Sequence, residues 1–155
     1  AVAEALECLG GNGYVEECIL PRLYREAPVN SIWEGSGNVV CLDALRTIAR
    51  DPAALDAVLA ELERARGADL RLDAWLVRLK NGLRDEAEPE LQARRLVEHL
   101  ALALQAALLV QHAPAAVADA FCASRLADGG ARQFGALPRG LDLALICERA
   151  RPRLA

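Results

Sequence analysis

At 155 residues the chain has the length of one domain and enough apolar material to close a core. Its 54% apolar content is dominated by Ala and Leu with only 4% aromatic residues, a mixture that favours helices packed on helices and disfavours a β-sheet. The net charge of −4 argues against a protein generally coated by nucleic acid.

The chain opens in "AVAEALECL", a helix-like stretch that ends at Gly10-Gly11-Asn12-Gly13, a run suited to positive φ and so to a helix stop and a tight turn. In "VEECILPRLYREA" the residues Val15, Ile19 and Leu23 fall on one helical face, and Pro21 allows only a short or interrupted helix. The connector "PVNSIWEGSG" is polar and Gly-rich around Ile32 and Trp33. From Ser36 to about Arg50 the apolar spacing is again helical. "RDPAALDAVLAELERARG" predicts a helix with Asp51 as N-cap, Pro52 at its first position, a stripe of Leu55, Val58, Leu59 and Leu62, and Gly67 as its stop. "ADLRLDAWLVRLKNG" repeats the pattern, with Leu72, Trp75, Leu76 and Leu79 inward and Gly82 closing. "EPELQARRLVEHLALALQAALLVQHA" reads as a long helix, apolar nearly all round between Leu100 and Val110, as in the centre of a bundle. Pro114 marks the next start, with Val117, Phe121 and Leu126 inward. "DGGARQFGALPRG" reads as a loop and "LDLALICERA" as a final helix.

These elements predict a single all-α domain over 1–155, a helical bundle divided into a segment 1–50 and a helical extension 51–155. With no methionine and a helix-like opening, the chain reads as part of a longer protein. No signal peptide opens it, and its longest apolar run is too short to span a bilayer. The cysteines Cys8, Cys18, Cys41, Cys122 and Cys147 form no C-x-x-C and no ligand spacing with His99 or His112, so no metal site is expected. They read as buried reduced thiols in a cytoplasmic protein. Basic charge gathers late: residues 1–100 carry 12 basic and 18 acidic side chains, and residues 101–155 carry 6 and 4.

The chemistry concentrates in "NSIWEGSGN". Ser36 is a good N-cap for the helix behind it, so the amides of Gly37 and Asn38 face whatever sits before that helix. Such a place favours carbonyl, phosphate or ring acceptor atoms. Gly35 removes a side chain beside Glu34, and Ile32 and Trp33 offer apolar surroundings. Desolvation there would raise the carboxylate's pKa and make Glu34 a better base. Taken alone, the constellation suits a plain helix cap better than catalysis, and a lone G-G-x-G usually only turns the chain.

Order and spacing add to this. "GGNGY", "LYRE" and "IWEGSGN" in succession resemble the C-terminal α-helical domain of the acyl-CoA dehydrogenases, whose pattern runs G-G-x-G-[YF], R-[DE], then an aromatic residue before E-G-T. The resemblance implies a FAD-dependent oxidoreductase that removes the proton α to a thioester and passes the β-hydride to the flavin. It puts Glu34 in the role of catalytic base and Gly35 beside the acyl-CoA substrate. Ser36, Gly37 and Asn38 fall at flavin-contacting positions, and Glu7, Cys8, Leu9, Gly10 and Gly11 against the dinucleotide of a neighbouring subunit, in a homotetramer by likeness to the family. Two departures matter. Glu7 stands where many members have Gln, and a carboxylate there accepts but does not donate. E-G-S-G-N replaces E-G-T, keeping the hydroxyl.

With its long helical extension the chain is most similar to the AidB-like branch, linked to the bacterial response to DNA alkylation damage. That likeness implies an alternative function: binding of double-stranded DNA by this domain, with a vestigial dehydrogenase site. The candidate phosphate contacts are Arg132, Arg139, Arg149, Arg151 and Arg153. A third reading is subunit packing through the apolar helix around residues 100–110. As an isolated chain it is expected to hold no flavin and turn over no substrate, because half of a shared pocket cannot exclude water.

Overall fold

The computed structural model describes residues 1–84, 87–127 and 133–152; every regular element among them is helical, as composition and spacing predict. The chain divides into two compact units, Ala1–Asp43 and Ala44–Ala155. The division falls inside a helix, a few residues before the boundary at residue 50 read from the sequence.

The first unit contains α1 (Val2–Cys8), α2 (Gly11–Tyr14), α3 (Leu20–Glu26), a 3-10 helix (Ala27–Ser31) and the start of α4 (Gly37–Arg50). The glycine run is not simply a turn. Gly10 turns the chain at φ +57°, and Gly11–Tyr14 then wind one helical turn. Gly13 is buried because α1 and α2 touch there: a Cβ would sit 2.3 Å from the Leu6 carbonyl oxygen. Pro21 stands in the first turn of α3, where a missing N–H costs no helical bond. The expected face of Val15, Ile19 and Leu23 does not form. Only Leu23 lies within α3, and the three side chains are 41%, 58% and 41% exposed.

The second unit continues with α5 (Pro52–Glu63), α6 (Leu70–Arg84), α7 (Pro89–His112), α8 (Ala115–Arg125) and α9 (Leu143–Ala150). α7 is the hub: α5, α6 and α8 all pack on it, and α9 packs on α8. The α6 stripe lies inward as its spacing predicts, with Leu72, Trp75, Leu76 and Leu79 buried. They meet Ala103, Ala106 and Ala107 of α7, whose small side chains allow close helix approach, together with Leu62, Cys122 and Leu126. The Trp75 indole N–H donates to the His99 carbonyl at 3.0 Å, and the Arg78 guanidinium lies 5.1 Å above the indole.

Three local expectations are corrected here. Gly82 does not close α6, which runs to Arg84; a Cβ at Gly82 would lie 3.1 Å from Leu96 Cδ2, so the glycine serves helix contact. On α8 the inward face also takes Ala118, Ala120, Cys122 and Ser124; of the residues expected there, Leu126 is buried and Phe121 packs half-buried against the core, while Val117 is only half-buried. α7 is not enclosed all round, since Leu108 is 41% exposed.

Charged groups fasten the helix ends. The Asp69 carboxylate accepts the Arg71 and Leu72 amides at 2.8 and 3.3 Å at the start of α6, and also binds the Arg71 guanidinium. Arg71 reaches Asp119 on α8 at 2.7 Å. Its guanidinium holds the Asp69 carboxyl below the usual aspartate range. Lys80 likewise pairs with Glu63 and lowers its carboxyl. No described helix is long and apolar enough to cross a membrane.

Candidate active-site segment

Glu34 stands between the 3-10 helix and α4 on a hydrogen-bonded turn. The Ile32 and Trp33 amides both donate to the Val29 carbonyl at 3.0 Å, and the Gly35 amide donates to the Ile32 carbonyl at 3.1 Å. Ser31 Oγ donates to the Pro28 carbonyl at 2.8 Å, tightening the preceding turn. Gly35 then takes φ +119°, a conformation L side chains rarely adopt, which explains glycine at this position. α4 begins two residues later, with the Ser36 carbonyl accepting the Val40 amide at 3.0 Å. Ser36 therefore occupies the position before the first helical residue, and the first amides of this 14-residue helix lack acceptors within it.

The expectation that Ile32 and Trp33 keep water from Glu34 does not hold within this chain. Their side chains are 60% and 69% exposed, and Glu34 is itself exposed. The backbone of the turn is set locally, but the wall around the carboxylate is not.

A second feature lies on α1–α3. Leu6, Glu7, Gly10, Tyr14, Tyr24 and Arg25 contribute to a groove of about 930 Å³. The Arg25 guanidinium binds both Glu16 carboxylate oxygens, at 2.6 and 3.2 Å, and holds that carboxyl below its ordinary range. Of the glycine-segment candidates, Glu7 and Gly10 line the groove; Cys8, Leu9 and Gly11 are exposed and do not, nor do Glu34, Gly35, Ser36, Gly37 and Asn38. Arg25 stands out in the sequence beside Glu26, in the R-[DE] motif, but its bidentate partner is Glu16, which, like Tyr14 and Tyr24, the sequence does not single out. The tyrosines stand inside the quoted motifs "GGNGY" and "LYRE", but their convergence requires α1 and α3 to pack.

The residues present fit part of a dinucleotide site. Nothing lies within 4 Å of where a Cβ would stand at Gly10 or Gly11, so another molecule's atoms can reach this backbone. The α4 N-terminus offers amides to acceptor atoms. Glu7 lines the groove, and a carboxylate there suits hydroxyl or amine donors better than a pyrophosphate.

Three of the five candidate arginines fall among the described residues. Arg139 and Arg149 are exposed, Arg151 is paired with Glu148 at 3.0 Å, and Arg132 and Arg153 lie outside the described residues. All five cysteines are free, but only Cys122 is buried; desolvation pushes its thiol up to about 11. His99 packs its ring on Trp75, centroids 4.7 Å apart, and His112 is exposed.

Residues 1–49 match the sequence model described as "Acyl-CoA dehydrogenase, C-terminal domain". The chain is 46% identical over 121 residues to the Escherichia coli (strain K12) protein named "Putative acyl-CoA dehydrogenase AidB", which covers 78% of this chain and 22% of that protein. It is also 56% identical over 45 residues to "Acyl-CoA dehydrogenase family member 11" of Caenorhabditis elegans, covering 29% of this chain and 7% of that protein. The chain thus spans about a fifth of the length of the first of these relatives. The family resemblance read from the three motifs is therefore shown, and the likeness to AidB extends well beyond them.

Proposed function

We propose that this chain, whose first 49 residues match the acyl-CoA dehydrogenase C-terminal domain model, forms part of a FAD-dependent acyl-CoA dehydrogenase in which Glu34 is the catalytic base. The observation that carries this reading is the Glu34–Gly35 turn itself. A carboxylate is held on a hydrogen-bonded turn, beside a glycine at φ +119° and next to a helix start whose first amides lack acceptors within the helix. When bound, FAD supplies the acceptor for the hydride leaving the β carbon.

The chain's own residues have distinct tasks. Glu34 takes the α proton, a weak acid even beside a thioester, so the base requires burial and a set orientation. The turn gives the orientation. The burial must come from surfaces that cover Ile32, Trp33 and Glu34 in the assembled protein, because this chain leaves all three open. Gly35 leaves room for the acyl-CoA, the amides at Gly37 and Asn38 bind acceptor atoms of the flavin, and Ser36 offers a hydroxyl. The glycine segment at Glu7, Cys8, Leu9, Gly10 and Gly11 approaches the dinucleotide held by a neighbouring subunit of a homotetramer in the cytoplasm.

The test is Glu34→Gln in the full-length protein. It should abolish exchange of the α proton of a bound acyl-CoA while leaving flavin content unchanged; exchange at the wild-type rate removes the base assignment.

A second reading, binding of double-stranded DNA, rests on the exposed Arg139 and Arg149 near the end of the described chain. Phosphate contacts release counterions, so binding by the full-length protein should weaken steeply with salt, and a salt-independent signal would dismiss it.

A further inference from the structure

The motif "LYRE" has a task that the Glu34 turn does not explain. After α2 the chain folds back on the glycine run. The Val15 amide donates to the Gly11 carbonyl at 3.2 Å, and the Cys18 thiol donates to the Asn12 carbonyl at 3.3 Å and to the Gly13 carbonyl at 3.8 Å. Carbonyls left open at the end of this one-turn helix are thus received by the residues that follow it. Glu16 lies between Val15 and Cys18. Its two carboxylate oxygens are held by the Arg25 guanidinium, nine residues on in α3, at 2.6 and 3.2 Å. A single hydrogen bond would let the carboxylate swivel, whereas a planar fork fixes both its place and its plane. Arg25 itself stands on a regular helix that packs on α1 and α2. The fork therefore ties to α3 the segment that closes the glycine turn. Glu7, Gly10, Glu16 and Arg25 also line one groove.

We infer that Arg25 is a positioning residue for the proposed cofactor contact: through its fork to Glu16 it fixes residues 15–18, which hold Gly11 to Gly13, and so sets the backbone that the glycine segment offers to the dinucleotide. The inference rests on the reading of that segment as a flavin contact. Arg25 acts through Glu16, and no contact between Arg25 and a phosphate is required.

The experiment compares wild type, Glu16→Gln, Arg25→Gln and the double variant of the full-length protein. FAD is the probe, its dissociation constant is measured by fluorescence titration, and hydrogen exchange follows the amides of residues 11–16. Gln removes either charge at a similar helix propensity. The side chains of Arg25 and Glu16 are 60% and 71% exposed, so the effect is modest: each single variant should bind FAD about two- to fivefold more weakly and exchange faster. The double variant should bind no more weakly than either single one, because the two residues act as a unit. Weakening in Arg25→Gln but not in Glu16→Gln means that the arginine meets the cofactor directly, and it overturns the positioning role. Losses that multiply in the double variant, or weakened binding with unchanged exchange, overturn it as well. Wild-type affinity in both single variants also overturns it and leaves the flavin contact intact. A full-length wild-type protein that binds no FAD overturns that reading and this inference with it.

Discussion

Two glycines of the same run should respond oppositely to the same substitution. A Cβ added at Gly13 would lie 2.3 Å from the Leu6 carbonyl oxygen and 3.1 Å from its carbonyl carbon and Cα. These are backbone atoms, so no rotamer change relieves the contact. Reaching even 3.0 Å requires the backbones of α1 and α2 to part by about 0.7 Å. Overpacking of this kind costs about 1–3 kcal/mol. At Gly11 nothing lies within 4 Å, and the residue is already helical. There alanine should stabilise by about 0.4–1 kcal/mol, mostly by restricting the unfolded chain. Hydrogen exchange of the α1–α3 amides reads both effects, with a tenfold change in protection for each 1.4 kcal/mol or so. Gly13→Ala should speed exchange about five- to hundredfold, and Gly11→Ala should slow it slightly. In the full-length protein Gly13→Ala should also lower flavin content, because Glu7 to Gly11 follow directly from the displaced turn of α1. Wild-type protection in Gly13→Ala, or equal loss in both variants, would refute the packing argument.

Other consequences concern the second unit. Leu79 is fully buried among α6 and α7 residues, so Leu79→Ala should cost about 2–5 kcal/mol, read as a lower urea midpoint with unchanged slope. Asp69 has its folded-state carboxyl lowered, first by the Arg71 side chain. Its stabilising contribution is therefore present above its unfolded pKa and is lost as pH falls through the lower folded value. Asp69→Asn should be less stable than wild type at neutral pH, and the gap should narrow as pH drops below the ordinary aspartate range. A gap independent of pH, measured by urea unfolding across that range, would show that charge plays no part.

Much of the helical layout was legible because it depends on local signals. Asp51-Pro52, Gly67 and Pro114 delimit helices through backbone rules that act within a few residues, and α5–α8 begin or end close to them. The inward stripe of α6 follows from a 3.6-residue period. Gly82 misled because a glycine near a helix end can be either a stop or a point of close approach. Leu96, fourteen residues away, decides for the second. Asp51 holds the expected position before α5, yet its side chain makes no capping bond; its carbonyl accepts the Ala54 amide at 3.1 Å instead.

The candidate site divides along the same line. Its family was readable from three motifs in order, because motif order survives without coordinates. The turn at Glu34, with a glycine before a helix, was equally local. Exposure was not: Ile32 and Trp33 are apolar by sequence, but whether apolar side chains enclose a carboxylate depends on what packs over them.

Sequence alone thus determined the helical class and most helix boundaries and singled out Glu34 as the candidate carboxylate, since propensity, capping and motif order act over neighbouring residues. Tertiary structure decided why Gly13 has no side chain, that Tyr14 and Tyr24 share a groove with Glu7, and that Glu34 is open to solvent. Each of these depends on distances between residues whose approach is set by packing and not by their spacing along the chain.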